Sequence, residues 1–200
     1  MDLALTETQE MLRVASRKFL ERECPTTLVR AMEGDERGYP AQLWEGMAAL
    51  GWMGLAFPEE HGGTGGTLTD LAVLMEEIGR ALAPGPFFAS VVSVGLAVLD
   101  AGSESQREEY IPQLASGTVI GTAALLERDA RYTPDAINLT ARRVGDVYEL
   151  TGSKMFVEYA NTADLMLVPV RTSSAAMPDI GLTILLMPAG SSGIKLTRLE

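Results

Sequence analysis

The chain has 200 residues, 46% of them hydrophobic and 22% charged, with 16 Lys and Arg against 27 Asp and Glu for a net charge of −11. That is ample material for a folded core, and the acidity argues against nucleic acid as a partner. No apolar run reaches the roughly 18 residues that a membrane span needs, and no basic segment leads into an apolar one at the N-terminus, so neither a span nor a secretion signal is expected.

The acidity is uneven, with a balance of −10 over residues 1–117 and −1 over residues 118–200. The near-neutral half would repel an anionic nucleotide cofactor less, although acidity is also an ordinary solubility device. Cys24 is the sole cysteine, which excludes an internal disulfide and suits a reducing, cytoplasmic setting; it reads as a partly buried structural thiol. His61 is the sole histidine, so no zinc site is expected and the metal ligands are none.

In chain order, Thr6 and Gln9 form a capping box that opens a helix over 6–23, with Leu12, Ala15, Phe19 and Leu20 on its apolar face; Pro25 ends it. A short helical piece runs to about Met32, and a polar loop follows over 33–38. Pro40 then stands at the first turn of a helix whose inner face is Leu43, Trp44, Met47 and Leu50, stopped by Gly51. Next comes the loop Pro58–Gly66, PEEHGGTGG, whose four glycines precede a helix N-terminus. It lacks the lysine and spacing of a P-loop, so it reads as a structural turn rather than a phosphate cradle. Thr67 and Asp70 cap the following helix, and Leu71, Leu74, Met75, Ile78 and Leu82 form one stripe with a 3.6-residue period. Glu76, Glu77 and Arg80 lie off that stripe. Beyond Pro84-Gly85-Pro86 an almost wholly apolar helix is expected over about 88–100, with Val91, Val94 and Val98 in the core. Another is expected over 103–116, capped by Ser103 and Gln106, kinked at Pro112 and closed by Gly117.

The pattern changes at Gly117. Val119–Ala124 is an apolar run of strand length, and Ile137–Ala141 and Val147–Leu150 alternate around Gly145-Asp146 as a hairpin. Further strands are expected at 164–170, 182–187 and 193–199, with a turn at Pro178-Asp179. Helices first and strands afterwards give an α+β chain of two segregated domains, residues 1–117 all-helical and 118–200 an antiparallel β-barrel or sandwich.

PEEHGGTGG followed by the acidic helix LMEEIGRALA resembles the N-terminal helical domain of the acyl-CoA dehydrogenases, and the helix-to-strand order matches that family along the whole chain. The resemblance implies a flavoprotein oxidoreductase that uses FAD to dehydrogenate an acyl-CoA thioester, in fatty acid or sterol side-chain catabolism, as a homo- or hetero-oligomer. In the family a C-terminal four-helix bundle supplies the glutamate base. Here the residues end inside strand-like sequence, so the expectation is an incomplete middle domain, no catalytic base, and inactivity of these residues by themselves.

The family places two middle-domain motifs against the flavin. Gly152-Ser153-Lys154-Met155-Phe156-Val157-Glu158 follows the hairpin as the family's Gly-x-Lys-x-Trp-Ile-Thr does. Phe156 thus takes the place of the aromatic wall, beside Val157, and Glu158 takes the place of a hydroxyl donor. Counting back without gaps puts the Thr-Glu-Pro motif on Leu126-Glu127-Arg128, with backbone donors expected near Leu125, Leu126 and Glu127. The family's Gly-Ser-Asp falls on Arg131-Tyr132-Thr133. Arg128 and Arg131 would suit an anionic phosphate, or simply belong to a solvated loop. Phe87, Phe88 and Ser90 fall where the family lines its acyl pocket, with a place in the core as the plainer reading. Because Leu126 and Glu158 replace hydroxyls, weak FAD retention is expected. A non-catalytic partner subunit of a heteromeric acyl-CoA dehydrogenase is the alternative.

Overall fold

The computed structural model describes residues 4–173 and 180–199, which divide into two compact units, Met1–Val119 and Ile120–Glu200. Among the described residues the first unit holds six α-helices: α1 Glu7–Glu23, α2 Thr26–Ala31, α3 Ala41–Ala49, α4 Leu68–Arg80, α5 Leu96–Ala101 and α6 Glu104–Ala115. Three start at reciprocal capping boxes, Thr6 with Gln9, Thr67 with Asp70 and Ser103 with Gln106, as the sequence predicts. The expected apolar helix is wider than α over most of its length: Phe88–Gly95 is a π-helix that leads into α5. Val91, Val94 and Val98 are buried, and the ring of Phe57 fills the space where a Cβ on Gly95 would stand.

α1 packs on α4. Both oxygens of the buried Glu77 accept from the guanidinium of Arg17, at 2.9 and 2.7 Å, and Arg80 adds a third bond at 2.9 Å. Glu77 therefore belongs to the buried side of α4 rather than to its wet face. Three residues expected inside lie outside, the first being Ala15 on the open side of α1. Leu50 is exposed because α3 ends at Ala49 and the chain turns at Gly51, while Leu82 falls beyond the end of α4 at Arg80. There Leu82 adopts a left-handed φ of 51°, with its amide donating to Gly79 O and that of Ala83 to Ile78 O. Gly117 closes α6 with the same bonding pattern and a φ of 70°. α6 runs on through Pro112.

Among the described residues the second unit holds one five-stranded sheet: β1 Gly121–Ala123, β2 Thr140–Val144, β3 Val147–Thr151, β4 Leu165–Arg171 and β5 Leu182–Pro188. β4 is central and its first six residues are all buried, so it reads as an apolar run without alternation. β5 pairs antiparallel along one edge of β4; β1 pairs parallel with the start of the other edge, and β2 meets its end through Thr140 and Arg171. The sheet is thus mixed rather than wholly antiparallel. The hairpin of β2 and β3 turns at Gly145-Asp146 as expected, but β2 starts at Thr140 because the amides of Asn138 and Leu139 serve the carboxylate of Glu127 and not a ladder. β1 is shorter than its apolar run, since Ile120 donates its amide to the Asp164 side chain. Residues 193–199, expected as a strand, pair with nothing regular and are exposed. The Pro178-Asp179 turn lies outside the described residues. The core of this unit gathers Ala124, Leu139, Ala141, Met166, Val168 and Val170.

Candidate functional site

The four glycines of the loop before α4 offer no amide to a phosphate. The amides of His61 to Thr67 donate internally, to Pro58, Glu59, Pro58, Gly54, Phe57, Leu55 and Asp70 in turn, at 2.7–3.1 Å. A Cβ on Gly63 would stand 2.1 Å from the carbonyl oxygen of Phe57, and one on Gly66 2.6 Å from that of Leu55. These glycines let backbone approach backbone, which is the structural turn expected. Among the described residues no group of His, Cys, Asp or Glu could hold a metal, and no helix is long and apolar enough to cross a membrane. Cys24 is buried, which pushes its thiol pKa up.

The candidate site lies in the second unit, where two loops meet at the end of β1. The chain leaves β1 through Ala124, bonded to Leu167 O, and runs into Leu125, Leu126 and Glu127. From β3 it passes Gly152, whose backbone crowds Leu139, into Lys154–Tyr159. Leu126 and Met155 form an isolated antiparallel bridge, with the Met155 amide donating to Leu126 O at 2.8 Å. Beside the bridge Lys154 Nζ donates to Glu127 Oε1 at 2.8 Å, and both side chains are more than nine-tenths buried. Glu127 also accepts from the amides of Leu139 at 3.0 Å and Asn138 at 2.9 Å. Burial pushes the Glu127 pKa up, but Lys154 and the two amides outweigh it and hold the carboxyl below its ordinary range.

The six expected cofactor residues do not point alike. Leu125, Phe156 and Glu158 are exposed, and Leu126 is half-buried; Glu127 is turned inward and Val157 packs on the sheet core. Phe156 is 57% exposed and holds a left-handed φ of 54°, with Tyr159 likewise at 51°. The hydroxyl of Thr122 donates to Glu158 O at 2.6 Å and fastens the second loop to β1. Arg131 pairs with Asp135 at 2.7 Å and Asp129 at 3.5 Å in an exposed loop that also displays Tyr132 and Arg128. In the helical unit Phe87 and Ser90 are buried and Phe88 is open.

Sequence reasoning missed Lys154 and Thr122 as the fasteners of these loops. The Gly-x-Lys turn marked Lys154, but its partner lies 27 residues away, beyond any local periodicity.

A family model described as "Acyl-CoA dehydrogenase, N-terminal domain" matches residues 6–118. A probable acyl-CoA dehydrogenase of Bacillus subtilis (strain 168), YngJ, is 32% identical over 200 residues, covering 98% of this chain and 52% of its own length. Among solved structures, the Tcur3481-Tcur3483 steroid ACAD is 30% identical with a TM-score of 0.83, over 96% of this chain and 50% of that one. The ChsE4-ChsE5 complex from Mycobacterium tuberculosis is 28% identical with a TM-score of 0.86, over 100% and 52%. The chain spans about half the length of the relatives it matches, and it belongs to the acyl-CoA dehydrogenase family.

Proposed function

We propose that this acyl-CoA dehydrogenase family member supplies the helical and middle domains of a flavin-dependent protein that acts in the α,β-dehydrogenation of an acyl-CoA thioester. One observation carries the reading. The two segments that the family resemblance assigns to the flavin, 29 residues apart at Leu126 and Met155, are bridged side by side. Leu125, Leu126, Phe156 and Glu158 form the proposed cofactor-facing set, with the inward-turned Glu127 and the core-packed Val157 behind them; Phe87, Phe88 and Ser90 of the helical unit, and separately Arg131 and Tyr132 of the second, are the residues proposed for acyl-CoA. Phe88 and Tyr132 are 52% and 77% exposed.

The donor chemistry fits only one side of a flavin. Phe156 offers an exposed aromatic face, whereas the ring's polar edge asks for donors. The side chain of Leu126 has none, and a carboxylate at Glu158 only accepts, which leaves backbone amides as the donors at this edge. No chemical step is therefore assigned to these loops. The same two residues favour a second reading, in which the chain is the non-catalytic partner in a heteromeric acyl-CoA dehydrogenase; one similar structure is itself a complex of two named proteins. A cytoplasmic setting and assembly with further dehydrogenase subunits complete the proposal.

The test is the native protein purified with every subunit that accompanies it, supplied with FAD and an artificial electron acceptor, and offered short, long and bulky acyl-CoA thioesters. Thioester-dependent reduction of the acceptor supports the proposal, and its absence across the set contradicts it. Flavin held by this chain selects the first reading; flavin held only by a companion subunit selects the second.

A further inference from the structure

Glu127 and Lys154 do something other than face a ligand. We propose that they are a positioning pair, a buried clasp that sets the Leu125–Glu127 loop against the Lys154–Tyr159 loop and thereby fixes where Phe156 and Glu158 are displayed. The functional consequence rests on reading these loops as the family's motif loops; the clasp itself rests on geometry.

Lys154 Nζ reaches Glu127 Oε1 at 2.8 Å and lies 3.5 Å from Leu125 O, so one ammonium spans the first loop. The carboxylate extends the connection to a third segment through the amides of Asn138 and Leu139 at the entry to β2. One residue beyond Lys154, the Met155 amide bonds Leu126 O. Two residues beyond it, Phe156 takes a left-handed backbone, which a residue with a side chain keeps only when its surroundings hold it there. Thr122 pins the far end of the same loop through Glu158 O. Taking one partner away leaves a buried charge without its counter-ion, a larger disturbance than the loss of a surface pair. Both loops should then loosen together. The clasp also has a fixed polarity, because two amide donors aim at residue 127, and a cation placed there would meet N–H groups instead of acceptors.

Amine labelling and hydrogen exchange, read by mass spectrometry on the whole protein, test this without any flavin. Lys154 should acetylate about tenfold or more slowly than the exposed Lys18 and Lys195, and Glu127→Gln should bring its rate toward theirs. In Glu127→Gln and Lys154→Met, exchange should rise in residues 125–130 and 154–160 together while α4 stays unchanged. Lys154→Arg should keep both segments protected, and the exchange of charges, Glu127→Lys with Lys154→Glu, should not. Loosening confined to the mutated residue's own loop overturns the clasp, as does a native Lys154 that labels as fast as Lys18. If Lys154→Met opens β4 and β5 as well, Lys154→Arg decides: both loops protected supports the clasp, and both lost over an intact sheet overturns it. Loops that stay protected in a protein that takes no flavin support the clasp and count against the cofactor reading alone.

Discussion

At the scale of residues, the buried carboxylates show what chain order conceals. Glu77 was expected off the apolar stripe of α4, yet its side chain is enclosed between Arg17 and Arg80. Hydrogen bonds from Arg17, opposed by burial and helped by Arg80, take its pKa from 4.5 to about 2. A carboxyl whose folded value lies below its unfolded one adds stability above about pH 4.5, and loses it as the pH falls toward 2. With both arginines partly exposed and screened, roughly 2 kcal/mol is at stake. Urea unfolding of the helical unit, followed through Trp44 and Trp52, should therefore separate Glu77→Gln from the native chain by about that much at pH 7, and the gap should narrow below pH 4. An unchanged gap at low pH would contradict the assignment. Neither this pair nor Glu127 with Lys154 could be read from the sequence, because each joins residues far apart in the chain. Local periodicity reports only neighbours on the same helix or strand.

At the scale of elements, caps were legible and pairing was not. The three capping boxes and Gly117 carry their geometry in a few adjacent side chains, and they stand where expected. The helix end at Leu82 carries the same bonds without a glycine, so the apolar stripe ran one residue type too far. Two substitutions contrast these ends. Leu82→Gly should raise stability by up to about 1 kcal/mol, since it relieves a left-handed leucine that is exposed and packs little. Gly117→Ala should lower it by about 1–2 kcal/mol, combining the same strain with a Cβ placed 3.1 Å from that of Ala48. Gly63→Ala should cost more than either, because its Cβ would meet the Phe57 carbonyl oxygen. Thermal unfolding of the three variants gives the order, and a Gly63→Ala protein as stable as the native one would refute the close-approach reading of that loop. In the sheet, β1, β4 and β5 were readable from apolar runs and β3 from alternation, but β2 lies three residues beyond its expected start, the strand expected over 193–199 is not one, and the parallel pairing of β1 and β2 with β4 was not legible. Register and partner depend on where the intervening loops return the chain, and the amides spent on Glu127 and Asp164 trimmed two strands at their starts.

At the scale of the whole molecule, the switch of hydrophobic period was enough to anticipate helices followed by a sheet, whereas the family was legible only in the resemblance carried by PEEHGGTGG and LMEEIGRALA. Function is less directly written, since it depends on the side chains displayed by two loops. No residue of these 200 is proposed as the proton-abstracting base, and general base catalysis is typically worth 10²–10⁴-fold. The 200 residues alone should therefore show no acyl-CoA-dependent reduction of an artificial acceptor; measurable turnover would place a base among them. The central proposal is that Phe156 stands as the flavin's wall while the side chains of Leu126 and Glu158 offer it no donor. Titrating FAD into the 200-residue protein while following flavin fluorescence measures this directly. The account predicts weak, gradual quenching, tightened by about tenfold to a hundredfold when Leu126→Thr and Glu158→Thr restore two hydroxyls. Tight stoichiometric quenching by the unaltered chain would contradict it.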